Sequence, residues 1–181
     1  MMSRRSLEET RLFLEAEGEE TPRRADGSPF VPDAMPNQGD EELGFSYFRY
    51  RLEGADNGNL TLPRTFFGRS EFVRVSFANT DLAGSRMCWN TFEACDFAGA
   101  DLTGCDMRAS SFRGCRFVGA TLRGADLRRS SFEDCDFAGA DLAGALAESE
   151  DADGDVRDFL GPEQIAIMDW AQDEGPEPPG G

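Results

Sequence analysis

The sequence predicts an all-β solenoid, a β-helix in which the chain turns once every five residues and closes a coil every twenty. Two nested periods carry this expectation. The first is an unbroken apolar series at five-residue spacing: Leu62, Phe67, Phe72, Phe77, Leu82, Met87, Phe92, Phe97, Leu102, Met107, Phe112, Phe117, Leu122, Leu127, Phe132, Phe137 and Leu142. An α-helix would smear this spacing around its circumference, and a strand would throw successive members to opposite faces. Only a chain that bends once per repeat keeps all of them on one side.

The second period is visible in residue identity. Leu62, Leu82, Leu102, Leu122 and Leu142 form one column, Phe72, Phe92, Phe112 and Phe132 another, and Phe77, Phe97, Phe117 and Phe137 a third. The octamer Cys-Asp-Phe-Ala-Gly-Ala-Asp-Leu occurs at 95–102 and again at 135–142. Like residues thus stack on like, and a coil holds four repeats. The centred series predicts about four coils, a rod of roughly 19 Å at the spacing of neighbouring strands. Two residues before each centre the side chain is small or medium, as at Val75, Cys95, Ala100, Cys105, Ser110 and Ala125. These are second inward positions. Each buried Phe or Leu is worth on the order of 1.5–3 kcal/mol, so the ladder makes an adequate core.

Segments such as Ala100-Asp101-Leu102-Thr103-Gly104 and Ala125-Asp126-Leu127-Arg128-Arg129 resemble the A(D/N)LXX signature of the pentapeptide-repeat family. The resemblance implies a right-handed quadrilateral β-helix with the central Leu or Phe and the small residue before it turned inward.

Three regions follow: residues 1–42, 43–147 and 148–181. In the first, Ser6-Leu7-Glu8-Glu9 reads as a capping box that starts a short helix over 6–17. Residues 19–42 carry four prolines and many acids, the composition of a linker. Phe45 to Leu52 alternates as a strand, and because Asn57 breaks the apolar series, 43–59 is expected to cap the first coil. Past Ala147 an acidic stretch, Glu148 to Asp158, leads to Gly161-Pro162-Glu163, a helix start with proline at its first position. A helix over about 162–173 would present Ile165, Met168 and Gln172 on one face, with Ile167 and Trp170 beside it. It is expected to close the last coil. Resemblance to the gyrase-protecting branch of the family, whose C-terminal elements dimerise, leaves a homodimer through this helix as the alternative to a monomer. Residues 174–181 have the composition of a disordered tail.

Composition narrows the chemistry. The chain has no histidine and no lysine; its 18 basic residues are all arginine. The commonest general base and metal ligand is missing, and so is Schiff-base chemistry. No enzyme activity, cofactor or metal is expected. Five cysteines in phase with the repeat suit reduced thiols in a cytoplasmic protein, and no secretory signal or membrane-spanning run is visible. The net charge of −17 sits in the flanks: residues 60–146 hold 11 acids and 10 arginines. Direct nucleic-acid binding is therefore not expected.

Cys95, Cys115 and Cys135 share one column with Val75, which marks them as packing residues, whereas Cys88 follows Met87 at an outward position and reads as an exposed thiol. The recurrent Asp before the centres reads as turn-stabilising. Trp89 stands out, at an outward position on the same face as Arg86, Arg108, Arg128 and Arg129. A tryptophan among arginines has the composition of a protein-binding hot spot; the competing reading has the N-terminal segment packing over it, with arginine stacked on the ring. The function expected is a non-enzymatic protein-binding or scaffold module with an unidentified protein partner. The alternative, suggested by the acidic total and the family resemblance, is a DNA-mimicking topoisomerase (gyrase) protection factor of the quinolone-resistance type.

Overall fold

The computed structural model describes residues 3–19, 26–27, 45–148 and 155–171. After helix α1 (Leu7–Ala16) come nine short strands: β1 (Ser46–Phe48), β2 (Arg51–Glu53), β3 (Phe66–Gly68), β4 (Glu71–Val73), β5 (Thr91–Glu93), β6 (Ser111–Arg113), β7 (Ser131–Glu133), β8 (Leu146–Glu148) and β9 (Asp169–Ala171). A 3-10 turn (Val156–Phe159) and a one-turn helix α2 (Pro162–Ile165) separate the last two. Every pairing is parallel. Up to β8 each residue pairs with the one twenty positions on, as in Phe72 with Phe92 and Asp101 with Thr121. The solenoid is therefore quadrilateral, with four pentapeptides per coil.

It makes about six turns, more than the four expected. Along one face Ser46, Phe66, Arg86, Asp106, Asp126, Leu146 and Asp169 form an unbroken stack of rungs. The extra coil at the start is residues 45–59, read from the sequence as a cap. Asn57 holds a centre position there and is buried in the end layer. Its backbone still joins the next coil, donating to Ser76 O at 2.8 Å and accepting from Thr80 Oγ1 at 2.6 Å.

All seventeen centres from Leu62 to Leu142 are buried. The phenylalanine columns stack nearly parallel, with Phe92 and Phe112 centroids 5.0 Å apart. The corner after each centre has positive φ throughout the solenoid, which is why glycine recurs there, as at Gly99 and Gly119. The Asp before a centre tightens the same corner: the Asp96 carboxylate accepts from Ala98 N at 2.9 Å, and Asp141 from Ala143 N at 3.1 Å.

Both open ends are covered. Ser6 and Glu9 form the capping box of α1, and Leu14 is buried against the first coil. Arg5 N donates to Asn59 O at 2.7 Å, and Thr61 N donates to Thr10 Oγ1 at 2.9 Å. A ten-residue helix is marginal alone, so this docking is what holds it. At the other end the expected helix over 162–173 is only Pro162–Ile165, and the chain then extends into β9. The physical reason is the unpaired edge of β8: a continued helix would leave it bare, whereas β9 pairs with it. Gln164 Nε2 also donates to Phe137 O at 2.9 Å and Ala140 O at 3.1 Å, satisfying carbonyls of the last coil. Gln172 lies outside the described residues, as do most of the linker over 19–42 and the tail over 174–181.

Candidate protein-interaction face

Trp89 lies on the face built by β1, β3, the Arg86–Asn90 corner and the corresponding corners up to β8. Beneath it the small inward positions are Ser70, Asn90, Ser110 and Ser130 rather than cysteine or alanine. They form a polar ladder. Ser70 N donates to Asn90 Oδ1 at 2.9 Å, Asn90 N donates to Ser110 Oγ at 3.0 Å, and Asn90 Nδ2 donates to Phe67 O at 2.8 Å. The ladder ties each corner to its neighbours, so the side chains above it project from a fixed frame.

Trp89 is 69% exposed, with φ +62°. This left-handed backbone is common to every corner of the solenoid, Arg49, Arg69 and Arg129 in the same column included, so it does not set Trp89 apart. Ala109 takes the same conformation one coil on. Among the described residues no arginine stacks on the indole, and most of the N-terminal segment read as its possible cover lies outside them.

Two recesses flank the indole. One, of about 240 Å³, is lined by Arg86, Cys88, Arg108, Ala109, Arg128, Arg129 and Glu148 together with Trp89, so the structure brings all five candidate residues together. The other, of about 170 Å³, is lined by Phe66, Gly68, Arg69, Arg86, Cys88 and Trp89. Phe66, Arg69 and Arg49 were not singled out from the sequence. The signal was present in the twenty-residue offset, which puts Arg49 and Arg69 in the column of Trp89. Cys88, expected as an exposed thiol, is buried, with 7% of its surface accessible. Being outward in phase is not enough to expose it, because it lines both recesses together with the larger side chains of Trp89 and Arg86.

The arginines fall into two groups. Arg108 is held by Asp106 at 2.8 Å and by Asp126 at 3.5 Å, Arg128 by Asp126 at 2.6 Å, and Arg129 reaches Glu148 at 3.7 Å. The Arg108 guanidinium keeps the Asp106 carboxyl below its usual range. Arg49, Arg69 and Arg86, by contrast, make no ion pair among the described residues. Arg86 lies 6.0 Å from the Phe66 ring, with its Nε buried and without a hydrogen-bond partner. Arg49 lies 5.3 Å from the Phe48 ring.

The thiol column faces elsewhere. Cys95, Cys115 and Cys135 are buried, and each Sγ–H approaches a carbonyl of the preceding coil, at 3.4 Å for Cys95 to Phe72 O. Contact with the Cys135 and Cys95 thiols, together with burial, pushes the Cys115 thiol up, and burial takes Cys105 to about 12. The same contacts with the Cys115 thiol lower the Cys95 and Cys135 thiols. Among the described residues no cluster of potential ligands could hold a metal ion.

Of Ile165, Met168 and Trp170, the second belongs to the core and the third packs against it, whereas Ile165 does not. Met168 is buried, Trp170 is half-buried, and its Nε1 donates to Ile165 O at 3.2 Å. Arg157 lies 5.4 Å from the Trp170 ring.

The family model for pentapeptide repeats matches in eight copies, over residues 70–108 and 110–146. The chain carries a pentapeptide-repeat domain. Among solved structures it is similar to the pentapeptide repeat protein Rfr23 of the cyanobacterium Cyanothece 51142, at 16% identity and a TM-score of 0.46, covering 54% of this chain and 84% of that one. It is also similar to a pentapeptide repeat protein of the Arabidopsis thaliana thylakoid lumen, at 23% identity and a TM-score of 0.34, covering 70% and 81%. A third is trypsin-treated QnrB1, a plasmid-mediated fluoroquinolone resistance protein, at 16% identity and a TM-score of 0.36, covering 58% and 73%. No curated protein matches the sequence.

Proposed function

We propose that this pentapeptide-repeat protein is a non-enzymatic protein-binding or scaffold module that docks its partner on the Trp89 face. One observation carries the reading: Trp89 is 69% exposed and stands among Arg86, Arg108, Arg128 and Arg129 on one face of the solenoid. A large aromatic side chain left this exposed contributes little to the core and is available for recognition. Tryptophan and arginine on a rigid frame are the residues that dominate protein interfaces. The five cysteines, all free and buried, favour a reducing compartment, and the cytoplasm is the proposed location. Among the described residues no helix is long and apolar enough to cross a membrane. Ile165, Met168 and Trp170 act as the end cap of a monomer in this reading.

The test is capture of a partner by the full chain, beside Trp89→Ala and a control on another face, Arg123→Ala. The expected result is loss with the first and retention with the second; equal capture by both variants rejects the face. The alternative, topoisomerase protection by DNA mimicry, needs carboxylates along the rod, but this face carries six arginines and three carboxylates. Protection of gyrase from a quinolone in a supercoiling assay would reverse the ranking.

A further inference from the structure

The near neutrality of the repeat body is an average over unlike faces. On the Trp89 face arginines outnumber carboxylates six to three; the other three faces of residues 46–148 together hold six arginines and eleven carboxylates. A net positive strip therefore runs along a chain whose total is −17. Its uncompensated part is confined to the first three coils, because Arg108, Arg128 and Arg129 already meet Asp106, Asp126 and Glu148.

That uncompensated end is also where the apolar surface lies. The smaller recess is lined by the buried Phe66, Gly68 and Cys88 and by Arg86, together with the exposed Trp89 and Arg69. Gly68 is required there: a Cβ would stand 2.5 Å from Phe66 Cζ. At about 170 Å³ the recess is on the scale of one side chain, well under the roughly 300 Å³ at which small-molecule pockets begin. Arg86 lines both recesses and makes no ion pair among the described residues, so its guanidinium can donate a charge-assisted hydrogen bond to an incoming carboxylate.

We infer that the partner presents an acidic segment with an apolar side chain, which enters the recess against Trp89 while neighbouring carboxylates take Arg69 and Arg86. The inference rests on the docking reading and names the chemistry of its partner. Arg49, stacked on Phe48, extends the cationic rim by one coil, so the segment runs along the ladder rather than across it. The charge contrast between this face and the rest of the chain orients the encounter, and the recess fixes the register.

The probe is a short fluorescein-labelled peptide with glutamates around a single phenylalanine, titrated against the full-length protein by anisotropy. The controls are its glutamine counterpart, a version with alanine in place of phenylalanine, and single-stranded oligothymidine. The glutamate peptide should bind, and its affinity should fall as salt rises. Arg69→Gln and Arg86→Gln should each weaken it about tenfold. Arg123→Gln, on another face and paired with Asp141 at 2.7 Å, should leave it unchanged. Arg69 is exposed, so its variant keeps the test sound even where Arg86→Gln disturbs packing. Equal binding of the glutamine peptide, no response to Arg69→Gln, or tighter binding of oligothymidine would each overturn the inference. A captured partner that depends on Trp89 but ignores both salt and Arg69→Gln would sink the acidic partner alone. Capture indifferent to Trp89→Ala would remove the face itself.

Discussion

The face over the cysteine column, centred on Phe92, Phe112 and Phe132, and the face over the serine–asparagine ladder, centred on Phe67, Met87 and Met107, share one twenty-residue register and a fully buried core, yet they differ in what they show to solvent. Over Cys95, Cys115 and Cys135 the exposed residues pair with one another, as Arg113 does with Glu133 at 2.6 Å. Over Ser70, Asn90 and Ser110 an indole stands exposed, and Arg49, Arg69 and Arg86 make no ion pair among the described residues. The inward residues of the two faces specify the same coil, so the fold accounts for none of this outward difference. What distinguishes the faces is available for recognition.

The sharpest way to break the contrast is to compare neighbouring residues of opposite orientation. Phe92 is fully buried and stacked on Phe72 and Phe112 at 5.0 Å on either side. Phe92→Ala should lower stability by about 3–5 kcal/mol in a denaturant titration, since a cavity in a ladder of rings cannot collapse far. The next largest effect is in the polar ladder. Asn90→Ala removes the acceptor of Ser70 N and the donor to Phe67 O, leaving buried backbone groups without partners at about 1–3 kcal/mol. A loss comparable to that of Phe92→Ala would mean the ladder, not the ring stack, holds this face.

How much of this was legible depended on which forces choose a residue. Leu62 to Leu142 could be read because each centre must fill a closed, dry column, and that demand is local and repeated. The Asp before a centre could be read because it closes its own corner. Residues 162–173 were misread because the periodicity of Ile165 and Met168 is a local cue, while the unpaired edge of β8 is a distant one and prevailed. Cys88 was misread because its burial is set by Phe66 and by Arg86 and Trp89 beside it, not by phase. Phe66 and Arg69 were passed over because outward positions accept any residue. Their meaning appears only when the coil places them beside Trp89.

Trp89→Ala sharpens the comparison from the other side. Its indole makes little packing contact, and its left-handed backbone is one that Ala109 also adopts. The change should leave stability within about 0.5 kcal/mol, or raise it slightly, while abolishing partner capture. A destabilisation near 2 kcal/mol would show that the indole supports the fold, and the functional argument from its exposure would fail.

The smallest effect concerns the neutralised half of the face. Asp106 has its folded pKa held below the ordinary value by Arg108, so the contribution of this pair is present at neutral pH. It is lost as pH falls through the depressed folded value. Because Arg108 is about half exposed, the contribution should stay below about 1 kcal/mol and shrink with salt. Asp106→Asn removes it at every pH, so the stability difference between wild type and variant should be largest at neutral pH and close below the usual carboxylate range. The same substitution leaves Arg108 with only the more distant Asp126 and extends the uncompensated cationic strip by one coil. Binding of the glutamate peptide should then strengthen modestly at neutral pH. An unchanged affinity would confine recognition to the first three coils.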